Sequence, residues 1–227
     1  MTVLFTDPLC YVYFVYGVSF LIMAGLIVNG IARASSQTLV SSFTMLAAFG
    51  FTHGVTEMLD WVNYVRLKLG HAESTSLLYI SQVLLIVSFV LLLQFGINIL
   101  TYKNSQKKSP RLIPSMLVVF LLIVVYVAGI SDIRSVARIT RFSFGFTGSA
   151  LSAIVLFRLI DTMRPLGNKK LNRGLAVAAS SFVIYAICGG LIITSLFGLP
   201  IQLFRAICAF ALAVSASSIL DIFKVRE

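Results

Sequence analysis

The sequence predicts an all-α polytopic membrane protein of seven transmembrane helices, N-terminus outside and C-terminus cytoplasmic. Three observations predict it. Of 227 residues, 59% are hydrophobic and 11% charged, whereas a soluble domain is about 25% charged. Mean hydropathy is +0.98, and no water-soluble fold of this length hides so much apolar surface. Apolar runs of about 20 residues, enough to cross a bilayer, recur along the chain. The basic residues then cluster in alternate short loops, the pattern that sets membrane topology.

The expected spans are about 9–32, 39–65, 76–102, 112–131, 137–160, 173–197 and 201–224. Together they form one domain, residues 1–227. Span 1 lacks the basic start and small-residue cleavage site of a removable signal peptide. Its Gly17 and Gly25, with Ser19, form a small-residue face, as do Gly145, Gly148, Ser149 and Ser152 on span 5; such faces let membrane helices approach closely. Gly189-Gly190 sits within span 6, where it is expected to bend the helix. Spans 3, 4 and 6 are nearly free of charge. Spans 2, 5 and 7 carry charges inside their apolar limits.

Arg33, the four cations of residues 103–111, the five of residues 158–173, Lys224 and Arg226 fall on one side. That is twelve of the eighteen basic residues, and the positive-inside rule makes the side cytoplasmic. An odd number of spans puts the N-terminus opposite, so the two counts agree. The net charge of +10 is thereby a topology signal, and no nucleic-acid partner is expected.

Span 2 carries the chemistry. In FGFTHGVTEMLDW (49–61), His53, Glu57 and Asp60 are spaced i, i+4, i+7 and share one helix face. The stripe runs about 10 Å along the axis, with Tyr64 beyond it. Ionisable groups at this depth cost several kcal/mol unless paired or wet, so the face is expected to look into the bundle. Arg138 and Arg141 in the outer turns of span 5, and Arg205 in those of span 7, sit at matching depth. The planar arginine fork suits carboxylates. His53, Glu57, Asp60, Arg138, Arg141 and Arg205 are therefore the candidate ligand-binding residues of an outer-half pocket. Three arginines against two acids leave room for an anion or carboxylate ligand. Trp61 and the tyrosines Tyr11, Tyr13 and Tyr16 would supply aromatic walls. A polar network that only fixes helix packing remains the alternative for the same residues.

Several chemistries are excluded. Span 7 has no mid-helix lysine for a retinal Schiff base. Only two histidines exist, His53 and His71, too few for a zinc hydrolase or a paired haem site. The three cysteines, Cys10, Cys188 and Cys208, fall at no metal-ligand spacing. No glycine-rich phosphate loop appears, and GFTGSA around Ser149 is not a specific nucleophile motif. Neither an enzymatic activity nor a bound cofactor is expected within this chain.

YVYFVYGVSFLIMAGLIV (11–28), MLAAFGFTHGVTEMLDW (45–61), RITRFSFGFTGSAL (138–151) and FRAICAF…SSILDIFKVRE (204–227) together resemble a seven-helix N-terminal membrane module. That module belongs to bacterial multidomain sensor histidine kinases and diguanylate cyclases. The sharpest element is AAFGxxHGxxE, here Ala47-Ala48-Phe49-Gly50, His53-Gly54 and Glu57. Where the family usually carries Trp after the glutamate, this chain has Met58. The resemblance implies a signal-input domain in the bacterial inner membrane, acting as a homodimer and joined through span 7 to a cytoplasmic kinase or cyclase output domain. Its partners would be membrane lipid and a small-molecule ligand. The competing class is a proton- or ion-coupled transporter, which would need polar groups continuing to the inner side. There only Asn29, Gln94, Asn98 and Ser217 are found, scattered over different helices.

Overall fold

The computed structural model describes residues 7–34, 37–101, 132–192 and 195–223. The expected fourth span, 112–131, lies outside them, as do the basic residues 103–111, Lys224 and Arg226. Helix α1 is Pro8–Ile31, α2 Gln37–Lys68 and α3 Thr75–Leu100. The fifth expected span is one continuous helix in three parts: α4 (Ile133–Thr140), a first π turn (Arg141–Phe146) and α5 (Thr147–Met163). Helix α6 (Lys169–Ala186) ends in a second π turn (Ile187–Leu191), and α7 is Ile201–Ile222.

The helix starts are written in the sequence. Asp7 accepts from the Leu9 amide ahead of Pro8, and Asp132 accepts from the amides of Arg134 and Ser135. Ser74 and Asn168 cap α3 and α6 in the same way. Each side chain satisfies amide donors that the first turn leaves open. Between α6 and α7 a two-rung hairpin pairs Ser195–Leu196 (β1) with Leu199–Pro200 (β2). Both tip residues have positive φ, Phe197 at 52° and Gly198 at 77°, the backbone of a tight two-residue hairpin turn.

Among the described residues, five helical stretches are long and apolar enough to cross a membrane: Pro8–Ile31, Thr75–Leu100, Ile133–Met163, Lys169–Leu191 and Ile201–Ile222. Among the described residues they and α2 close a ring, in the order α1, α2, α3, α5, α6, α7 and back to α1. The outward face is apolar, with Val28, Phe51, Val83, Phe142, Ile154 and Val214 exposed. A surface of this kind matches lipid tails and not water. The interior is aromatic: Tyr16, Phe20, Phe49, Phe89, Phe95, Phe182 and Tyr185 are fully buried.

Two close approaches set the geometry. A Cβ on Gly54 would lie 3.0 Å from the Gly17 carbonyl, and one on Gly50 would lie 3.2 Å from the Phe20 carbonyl. Gly50 and Gly54, one turn apart on α2, therefore let it lie directly against α1. At the two π turns, a Cβ on Gly190 would meet Phe146 Cβ at 2.6 Å and its backbone at 3.0 Å. The pair Gly189-Gly190 thus ends α6 in a widened turn pressed against the other. Gly145 and Gly148 seat α3 as expected, against Phe89 and Leu92. A Cβ on Gly25 would meet nothing within 4 Å among the described residues.

Candidate functional site

The α2 stripe faces the ring interior. His53 is fully buried and Glu57 is 2% exposed. Helical period fixes the direction: Gly50 and Gly54 turn toward α1, and His53 and Glu57 toward the centre. The AAFGxxHGxxE pattern is thus one helix with a flat contact edge and a polar edge.

Three other helices meet at His53. Its Nδ1 lies 3.1 Å from Ser88 Oγ on α3. Its Nε2 lies 3.1 Å from the Tyr16 hydroxyl on α1 and 2.9 Å from the Tyr185 hydroxyl on α6. Ser88 donates its own hydrogen to the Leu85 carbonyl at 2.8 Å, so its oxygen is left to accept, which assigns the His53 proton to Nδ1. Nε2 is then the acceptor, with both tyrosine hydroxyls within hydrogen-bond reach of its single lone pair. Phe20, Phe49 and Phe89 pack their rings around the imidazole, with centroids 4.7, 5.3 and 5.4 Å away. On this side the network is closed by hydrocarbon.

On the other side it continues. Glu57 Oε1 lies 3.5 Å from His53 Nε2 and accepts from Arg141 Nη2 at 3.1 Å. Arg141 opens the first π turn, so a widened turn holds the cation of a buried pair; π turns are frequent at functional sites. Its Nη1 is buried without a partner among the described residues. One turn further along α2, Asp60 Oδ1 accepts from Ser81 Oγ on α3 at 2.5 Å. Gln82 beside it donates to Thr140 on α4 at 3.1 Å.

These groups border a cleft of about 290 Å³ between α1, α2, α3 and α4. Arg141 and Asp60 line its inner part, Tyr13 and Tyr64 one wall, and Glu73 and Arg134 its rim. The rim is tied: Arg134 Nη2 donates to both Glu73 oxygens at 2.7 Å, and Asn63 accepts from the Ser74 amide. Tyr13 and Tyr64 stack at 5.3 Å. The Tyr64 hydroxyl donates to Asp7 at 2.7 Å, and Lys68 pairs with the same carboxylate at 2.9 Å. Lys68, followed by Tyr64, holds the Asp7 carboxyl below the usual carboxylate range.

The structure therefore brings together four of the six predicted residues, His53, Glu57, Asp60 and Arg141. The other two lie apart from these four. Arg138 is exposed and donates to Ser135 Oγ on its own helix at 2.9 Å. Arg205 is 4% exposed, and its partners are carbonyls: Nε donates to Cys188 O at 2.7 Å and Nη2 to Ile192 O at 3.3 Å. Those oxygens are left open by the second π turn, so Arg205 is spent on finishing α6. Of the aromatics, Tyr13 lines the cleft, Tyr16 is a His53 partner, and Trp61 donates to Cys10 Sγ.

Sequence reasoning missed Ser81, Gln82, Ser88 and Tyr185. A signal existed for α3: Ser81, Gln82 and Ser88 mark one stripe of an otherwise apolar span. Tyr185 carried only the weaker one of a lone hydroxyl within span 6.

The chain matches no family model, no curated protein and no solved structure.

Proposed function

We propose that this chain is the membrane-embedded signal-input domain of a bacterial sensor. In this reading it crosses the inner membrane seven times, with the cleft facing outside and α7 running toward a cytoplasmic kinase or cyclase output domain, in a homodimer. The observation that carries it is the run of adjoining buried polar groups that leads from the cleft, past the Arg141–Glu57 pair, to His53, whose partners stand on α1, α3 and α6. A ligand favouring one arrangement of Arg141 or Asp60 would bias how four helices meet. Differential affinity for two packings is all a receptor needs. Helix α7 packs on α1 and α6, the two helices that carry the tyrosines, so it would inherit the shift at second hand.

The aromatic layer favours this reading over a transporter. Phe20, Phe49 and Phe89 pack around His53, and the buried polar groups on its inner side among the described residues are serines, Ser42, Ser149, Ser152, Ser181 and Ser215, with no ionisable group to carry a proton onward. The test pairs two measurements on protein in lipid. Ligands of the cleft should raise Tm in the wild type and raise it less in Arg141→Lys, while proteoliposomes show no flux. Robust proton or cation flux that disappears in Glu57→Gln would replace the sensor reading with the transporter.

A further inference from the structure

The arginine partners found above change what the cleft should bind. The sequence places three cations against two acids and so points to an anion. In the structure Arg205 is fastened to backbone carbonyls and Arg138 turns away. What remains can be balanced group by group. Arg134 and Glu73 cancel at the rim, and Arg141 and Glu57 cancel at the base. Arg141 Nη1 is buried without a partner among the described residues, and the charge of the guanidinium is already met by Glu57. Asp60 is left over. Ser81 holds one of its oxygens, and no ion pair reaches it among the described residues.

Resting on the reading of the cleft as a ligand site, we propose that it takes a small organic cation, a primary amine or a guanidinium, with Asp60 as counter-ion. Four features fit that class. The ionised cleft carries one uncompensated negative charge, in a place where water is partly excluded and attraction is strengthened. Tyr13 and Tyr64 present aromatic surface, which attracts cations. The remaining wall is apolar, with Leu67, Leu78, Leu85 and Ile133, matching a short hydrocarbon body. The volume, about 290 Å³, lies at the small end of ligand pockets.

The serine contact defines the geometry of recognition. Ser81 approaches one carboxylate oxygen and fixes the plane of the group, so the second oxygen is the one presented to a guest. An ammonium donating to it would form a charge-assisted hydrogen bond, about twice as strong as a neutral one. A carboxylate guest would meet Asp60 with like charge, and the cation beside it, Arg141, is already paired with Glu57.

The test uses the full chain in lipid nanodiscs at neutral pH, titrated with propylamine, agmatine, propionate and succinate. The amines are expected to bind and the acids not. Asp60→Asn keeps shape and the Ser81 contact, and should weaken amine binding about tenfold or more. Arg138→Gln, outside the cleft, should leave it unchanged. Amine affinity equal in wild type and Asp60→Asn, tighter binding of the acids, or binding of neither series would each overturn the proposal. Amines that bind through Asp60 and also cross proteoliposomes would keep the cation site while removing the input-domain reading. Acids binding through Arg141 without flux would do the reverse.

Discussion

Arg141 and Arg205 are the same residue type, each lodged in the bundle beside a π turn, and they are used in opposite ways. Arg205 gives its fork to two carbonyls that the second π turn sets free. It completes a backbone and has no acid partner among the described residues. Arg141 gives its fork to Glu57 and so couples α2 to the first π turn by charge. The comparison teaches that an arginine at membrane depth is not by itself a ligand group. Its meaning depends on whether backbone or carboxylate receives it.

The largest effect should come from breaking the charged pair. Arg141→Ala leaves the Glu57 carboxylate buried and uncompensated, a loss of about 3–5 kcal/mol. Adding Glu57→Gln should recover most of it, and a double-mutant cycle read by Tm in lipid checks this. Equal stability of the single and double variants would erase the distinction between the two arginines. Arg205→Met should cost less, about 1–3 kcal/mol for each charged hydrogen bond lost. It should show no coupling to Glu57→Gln, and the buried Cys188 thiol should become accessible to maleimide. A strong coupling would mean that Arg205 belongs to the polar network after all.

The smallest effect lies at the exposed end. Lys68 and Tyr64 favour the ionised form of Asp7, so the unfolded chain takes up the proton first as pH falls. The contribution is complete above the ordinary carboxylate pKa and disappears as pH drops through the lowered one. Asp7→Asn should flatten the acid limb of a Tm–pH curve and leave neutral pH nearly untouched, since exposed pairs are weak. A large loss at neutral pH would mark Asp7 as part of the cleft and not merely of its rim.

Five of the expected spans and the polar face of α2 were legible because both rest on period and length. Residues 53, 57 and 60 must share a side of any α-helix. Depth was legible too: Arg141 meets Glu57 at the level that counting turns gives. Azimuth was not. A span's own sequence does not say which neighbour it lies against, so Arg205 could be placed at the right height but not aimed. It faces the end of α6 because α7 sits between α1 and α6 in the ring. The π turns were the second blind spot. The first shifts the helical phase of everything beyond Arg141, and the second ends α6 where its carbonyls claim Arg205. Only Gly189-Gly190 hinted at either.

The short hairpin between α6 and α7 has a mechanical consequence. Two rungs and a two-residue tip leave no slack, and Arg205 adds a cross-brace from α7 to the last turn of α6. A piston stroke of α7 alone would have to break both hydrogen bonds to that turn, whereas tilting the two helices together breaks neither. The pair is thereby braced at its hairpin end, while at the far end Leu220 lies against Gly30 of α1.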